Sequence, residues 1–146
     1  MLTFQYRLFP DNEQQTLLWK HANKLNNLYN YFLNQRIEAY KIGVKIGKKE
    51  QQTELVILKE TDEILQEMHS QVVQQVPLRL KKAYSAFFRR VKKGEPAGFP
   101  KFRSCRNFFG ICYPQSGYKI EKYNNQMYTF SSKVYGKILF KLHRNI

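Results

Sequence analysis

Apolar residues recur along this chain at spacing two, then at spacings of three and four, then at two again. Leu2, Phe4, Tyr6 and Leu8 alternate with Thr3, Gln5 and Arg7. This predicts a short strand with one buried face, ended by Pro10. Asp11 is placed to cap a helix, with Gln14 three residues on as its reciprocal partner. Leu18, Ala22, Leu25, Tyr29 and Phe32, continued by Leu33 and Ile37, make one apolar stripe. A helix to about Tyr40 follows from it. Gly43 and Gly47, set among Lys41, Lys45, Lys48 and Lys49, read as a basic connection.

A second helix is expected around Leu55 and Leu58, with Val56 and Ile57 as further apolar positions. Glu63, Ile64, Leu65 and Met68 continue helical spacing after a cap at Thr61. Ser70 is expected to cap a longer helix carrying Val73, Val76, Leu80, Tyr84, Phe87, Phe88 and Val91. Pro77 inside it predicts a kink near Val73. After Gly94 the pattern changes, and Pro96, Gly98 and Pro100 break any helix. Phe108 to Tyr113 reads as a strand. Tyr118, Ile120 and Lys122 lead into Asn124-Asn125, read as a two-residue hairpin turn because Asn tolerates positive φ. Met127, Tyr128 and Phe130 form the return strand, and Ile138, Phe140 and Leu142 a last one. The expected fold class is α+β. A first strand (residues 1–10) and a helical module (11–94) precede a small antiparallel β module (95–146), to which the first strand returns.

Charge narrows the function. The 146 residues hold 25 Lys and Arg against 11 Asp and Glu, a formal charge of +14. Such a surface attracts polyanions, nucleic acid first among them. A hydrophobic fraction of 42% argues against global disorder. Ten Tyr and eleven Phe can fill a core or offer faces for base stacking. Between Arg79 and Arg106 stand ten bases and a single acid, Glu95. A solubilising surface mixes both signs, so this run reads as a phosphate-tracking ridge. Lys81, Lys82, Arg89, Arg90, Lys92, Lys93, Lys101, Arg103 and Arg106 are its candidate contacts. Leu80, Tyr84, Phe87 and Val91 are expected to turn inward.

Other chemistry is thin. Cys105 and Cys112 lack neighbours at metal-ligand spacing, and both read as reduced thiols. His21, His69 and His143 are scattered. Glu60, Asp62, Glu63 and Glu67 are the densest acid cluster and read as a solvated helix face. No catalytic residue, metal or cofactor is expected. Met1-Leu2-Thr3-Phe4-Gln5-Tyr6-Arg7 has no basic start followed by an apolar run, so no signal peptide is expected, and no apolar window reaches membrane-spanning length. A cytoplasmic, nucleoid-associated location and no membrane partner are therefore expected.

The most specific motif is Gly98-Phe99-Pro100-Lys101-Phe102. It follows a helix ending Ala83-Tyr84-Ser85-Ala86-Phe87-Phe88-Arg89-Arg90 and precedes aromatics ending Tyr113-Pro114. This order resembles the N-terminal part of TnpB (OrfB), the transposon-encoded RNA-guided nuclease family related to type V CRISPR effectors. Tyr6-Arg7-Leu8-Phe9-Pro10 with Glu13-Gln14, Leu28-Tyr29-Asn30, Gln74-Gln75, and Lys141-Leu142-His143-Arg144 add to the resemblance. It implies a recognition lobe over residues 11–94 and a wedge barrel from residues 1–10 and 95–146. The implied partners are guide RNA and target DNA. Ser70, Gln71 and Gln74 read, on residues alone, as a solvated helix face. The resemblance places them near the helix that reads a short motif beside the target, and Pro77 departs from the family's pattern there. Family members continue into a RuvC-like nuclease with three catalytic carboxylates and a zinc ribbon. Neither is expected here, so the resemblance implies a binding fragment with an incomplete barrel. A stand-alone double-stranded DNA binder is one alternative. The other is one half of a two-chain nuclease, with a second chain carrying the catalytic domain.

Overall fold

A computed structural model describes residues 2–104, 106 and 109–142. The elements are β1 (Leu8–Phe9), α1 (Asn12–Lys41), α2 (Lys48–Thr61), α3 (Glu63–Glu67), α4 (Ser70–Lys93), β2 (Tyr118–Lys122), β3 (Met127–Ser132) and β4 (Gly136–Lys141). The fold is α+β. Four helices are followed by three antiparallel strands, and β1 returns to complete an open sheet in the order β1-β4-β3-β2.

The start of α1 follows the expected chemistry. Asp11 Oδ1 accepts the Gln14 amide at 2.8 Å, and Gln14 Oε1 accepts the Asp11 amide at 3.0 Å. Such a reciprocal cap satisfies two amides the helix leaves open, and losing it costs about 1 kcal/mol. Ala22, Leu25, Tyr29, Phe32 and Leu33 are buried as the stripe requires. Leu25, Tyr29, Phe32 and Leu33 pack with Leu55, Leu65, Val73, Val76 and Leu80 in one core cluster.

Several boundaries differ from the sequence reading. The first strand holds only Leu8 and Phe9, paired with Phe140 and Leu139. Leu2 is 83% exposed and Leu8 is exposed as well, so the alternation there marks no buried face. A strand needs a ladder partner as well as a pattern, and the ladder stops at Leu8. The cap before α3 is Asp62, whose carboxylate accepts the Ile64 and Leu65 amides, and Thr61 ends α2 instead. His69 caps α4, its Nδ1 accepting the Gln71 amide at 3.2 Å, with Ser70 the first helical residue. Val56 and Ile57 lie on the outer face of α2. Val91 and Phe88 are exposed too, because the core under α4 ends near Tyr84. The helix itself continues through the buried Pro77 to Lys93.

No strand forms over residues 109–113. Phe109 is buried in the helical core with Ile111 and Tyr113 packed against it. An apolar run seeks burial, and here it finds a helix surface before a strand partner. Phe108, Cys105, His143 and Arg144 lie outside the described residues. The β2–β3 hairpin sits where expected, but its loop spans Tyr123 to Gln126. No non-glycine residue among those described has positive φ. Asn124 instead turns the chain with its side chain, Oδ1 accepting the amides of Gln126 and Met127 at 3.0 and 2.8 Å.

Candidate nucleic-acid interface

The long helix α4 and the segment after it carry most of the predicted contacts. Lys81, Lys82, Arg89, Arg90, Lys92, Lys93, Lys101, Arg103 and Arg106 are all exposed. Ion pairs among the described residues involve Lys20, His21, Lys24, Lys41 and Lys137, and none of these nine. Among the described residues, therefore, no carboxylate neutralises their charge. Gly94 closes α4 at φ 71, its amide bonding the carbonyls of Arg90 and Val91. A left-handed residue there reverses the chain, and glycine takes that conformation at no steric cost.

The far end of this segment is pinned to α1. Asn30 Oδ1 accepts the Arg103 amide at 2.8 Å, and Asn30 Nδ2 donates to the Arg103 carbonyl at 2.9 Å. Asn26 Nδ2 donates to the same carbonyl at 3.2 Å. Two side chains one helical turn apart thus hold both peptide groups that flank Arg103 in the basic segment. The guanidinium of Arg103 lies 5.0 Å from the ring centre of Phe109, and that of Arg79 lies 4.5 Å from it. Phe109 also meets Tyr29. Burial lowers the Arg79 pKa, partly offset by Cys112, and the neighbouring Arg103 charge lowers it a little further. Arg79 is thus the one base of the ten turned partly inward, as a packing group over an aromatic face.

The three polar residues at the start of α4 divide. Ser70 is exposed and Gln74 half-buried. Gln71 is engaged: its Oε1 accepts from the Ser116 amide at 3.3 Å and from the Ser116 hydroxyl at 3.5 Å. It ties α4 to the turn before β2. In that turn Gly117 has φ 93, and a β-carbon there would come within 2.6 Å of the His69 ring. The cap of α4 and the entry to the sheet therefore pack on one glycine.

Glu60, Glu63 and Glu67 of the acid cluster are exposed, as expected of a solvated face, but two members of the cluster are paired. Glu67 accepts from the fully buried His21 at 2.9 Å and pairs with Lys20 at 3.1 Å. These two partners hold its carboxyl below the usual range, against a smaller desolvation effect. Asp62 pairs with Lys24. Burial works to raise the Asp62 carboxyl, but Lys24 and the Leu65 and Ile64 amides together outweigh it, so its pKa is also lowered. Among the described residues no group of three or more His, Cys, Asp and Glu side chains is placed to hold a metal ion. No described helix is long and apolar enough to cross a membrane. Cys112 is a half-buried free thiol. Sequence reasoning missed Asn26, Asn30 and His21, because nothing in their spacing announces partners about 46 to 114 positions away.

A helix-rich module with an unneutralised basic flank belongs to the nucleic-acid-binding class. Residues 1–45 match the family profile of the OrfB_IS605 helix-turn-helix domain. In this fold the matched residues comprise β1, α1 and the turn that leads to α2. No curated protein matches the chain.

Proposed function

We propose that this chain is a nucleic-acid-binding part of a TnpB-like protein, holding guide RNA and target DNA without cutting either by itself. The helices of residues 11–94 act as the recognition module, and residues 1–10 with 95–146 as the wedge module. One observation carries this reading: nine exposed bases, none in an ion pair among the described residues, follow one another along α4 and the segment after it. The helix-turn-helix match in the preceding region supports it. Asp62 and Glu67, members of the densest acid cluster, are occupied by lysine and histidine, which supports a binding role over metal-dependent hydrolysis.

Purifying the chain at moderate salt and identifying the nucleic acid that accompanies it tests the reading. A discrete RNA species is the expected result. Duplex DNA without RNA would favour a stand-alone DNA binder. Protein-dependent cleavage of labelled DNA with Mg²⁺ or Mn²⁺, surviving stringent purification, would overturn the non-catalytic assignment.

A further inference from the structure

We propose that the aromatic column at the end of α4 is a stacking platform for the unpaired bases of a single nucleic-acid strand. The rings of Tyr84, Phe88, Phe87 and Phe99 follow one another with centroids 6.3, 5.3 and 4.5 Å apart. Phe87 and Phe99 are nearly parallel, at 27°. Phe99 is 66% exposed and Phe88 56%. The column thus begins at the half-buried Tyr84, against the core, and ends on rings open to solvent. Phe102 and Val91, in the same stretch of chain, are exposed as well.

A stable fold gains nothing by leaving these rings in water, since burying them would stabilise it. The position is nonetheless built. The left-handed Gly94 turns the chain back so that Phe99 meets Phe87, and the Asn30 clamp on Arg103 holds the segment's other end. Charge complementarity identifies the occupant. Arg90 lies one helical turn from Phe87, Lys92 one turn from Phe88, and Lys101 two residues beyond Phe99. Aromatic faces rimmed by unpaired cations suit a ligand offering flat rings and a phosphate chain. A duplex hides its base faces within its own stack, whereas a single strand presents them. The proposal rests on the nucleic-acid reading above and names the form of ligand this part of the surface takes.

The test uses the full chain, a single strand carrying 2-aminopurine, and a blunt hairpin duplex of the same composition. Binding is followed by anisotropy and stacking by 2-aminopurine fluorescence. The single strand should bind with a change in 2-aminopurine emission. Phe99→Leu should weaken single-strand binding roughly tenfold, within the range for one stacked base. It should leave duplex affinity within about twofold, because phosphate contacts remain. Phe99→Trp should restore the loss, and Phe88→Leu should reproduce it, with unfolding midpoints unchanged in all three. Unchanged single-strand affinity in Phe99→Leu, or an equal loss on strand and duplex, overturns the platform while leaving nucleic-acid binding standing. Failure of the unaltered chain to bind either probe removes the underlying reading instead. Phe99-dependent binding to phosphatidylserine vesicles, with strand binding independent of Phe99, would reassign the patch to membrane contact.

Discussion

The imidazole Nδ1 of His21 lies 2.7 Å from the hydroxyl of Tyr135, deep between helix α1 and the turn joining β3 to β4. The other ring nitrogen meets Glu67 at 2.9 Å. An ionised carboxylate only accepts, so Nε2–H donates to Glu67, and in the neutral ring Nδ1 then accepts the Tyr135 proton. Burial pushes the Tyr135 hydroxyl well above its usual pKa, so it stays protonated and able to donate. Gln14 grips the same turn, donating to the carbonyls of Tyr135 and Lys137 at 3.0 and 2.8 Å. Helix and sheet are therefore joined by directed hydrogen bonds from α1.

Tyr135→Phe should destabilise the chain by about 1–3 kcal/mol, because it leaves a fully buried imidazole nitrogen without its partner. Urea unfolding measures this. A change well below that range would mean that water replaces the hydroxyl.

Acid should destabilise the chain through Glu67 and Asp62. Both carboxyls have lower pKa values in the folded state than in the unfolded one. In the window between those values the unfolded chain binds more protons, so stability is full above the unfolded pKa and is lost as pH falls through the folded one. Thermal midpoints should fall on going from about pH 5 toward pH 2. Glu67→Gln should flatten part of that limb, and an unaltered limb would count against the pairing.

Asn30→Ala should free the peptide at Arg103. The double hydrogen bond is lost, at a cost of about 1 kcal/mol, and the Arg103 amide should exchange faster with solvent. Nucleic-acid affinity should also fall, since the basic segment loses its anchor. Unchanged protection at Arg103 would show that the Asn30 carbonyl is not what shields that amide.

Binding should weaken steeply with salt. Each neutralised phosphate adds about 0.7–0.9 to the slope of log affinity against log salt, so engagement of roughly six bases gives a magnitude of about four to five. Lys92→Gln should reduce it by about one. A flat response would remove the ridge from the interface.

The outer edge of β2 has no strand partner among the described residues, and Ile120 on it is exposed. Such an edge pairs readily with another chain. The charge of +14 opposes self-association until salt screens it. Light scattering should therefore show larger species as salt rises. A monomer throughout, with β2 amides protected from exchange, would show that the edge is covered.

What the sequence alone determined is local and periodic. The α1 stripe from Ala22 to Leu33, the Asp11–Gln14 cap, the hairpin around Asn124 and the alternation at Ile138 and Phe140 rest on neighbours within a few positions. Helical and strand periods therefore reveal them. The density of bases from Arg79 to Arg106 is likewise a property of the chain itself. Tertiary structure decided what each group faces. It assigned Phe109 to the helical core and left Phe88 and Val91 in solvent, because a periodic stripe does not say where its partner surface ends. It gave Gln71 to Ser116 and Asn30 to Arg103, and it placed His21 between Glu67 and Tyr135. A hydrogen bond between residues far apart in sequence depends on the closing of the whole chain, which no local pattern encodes.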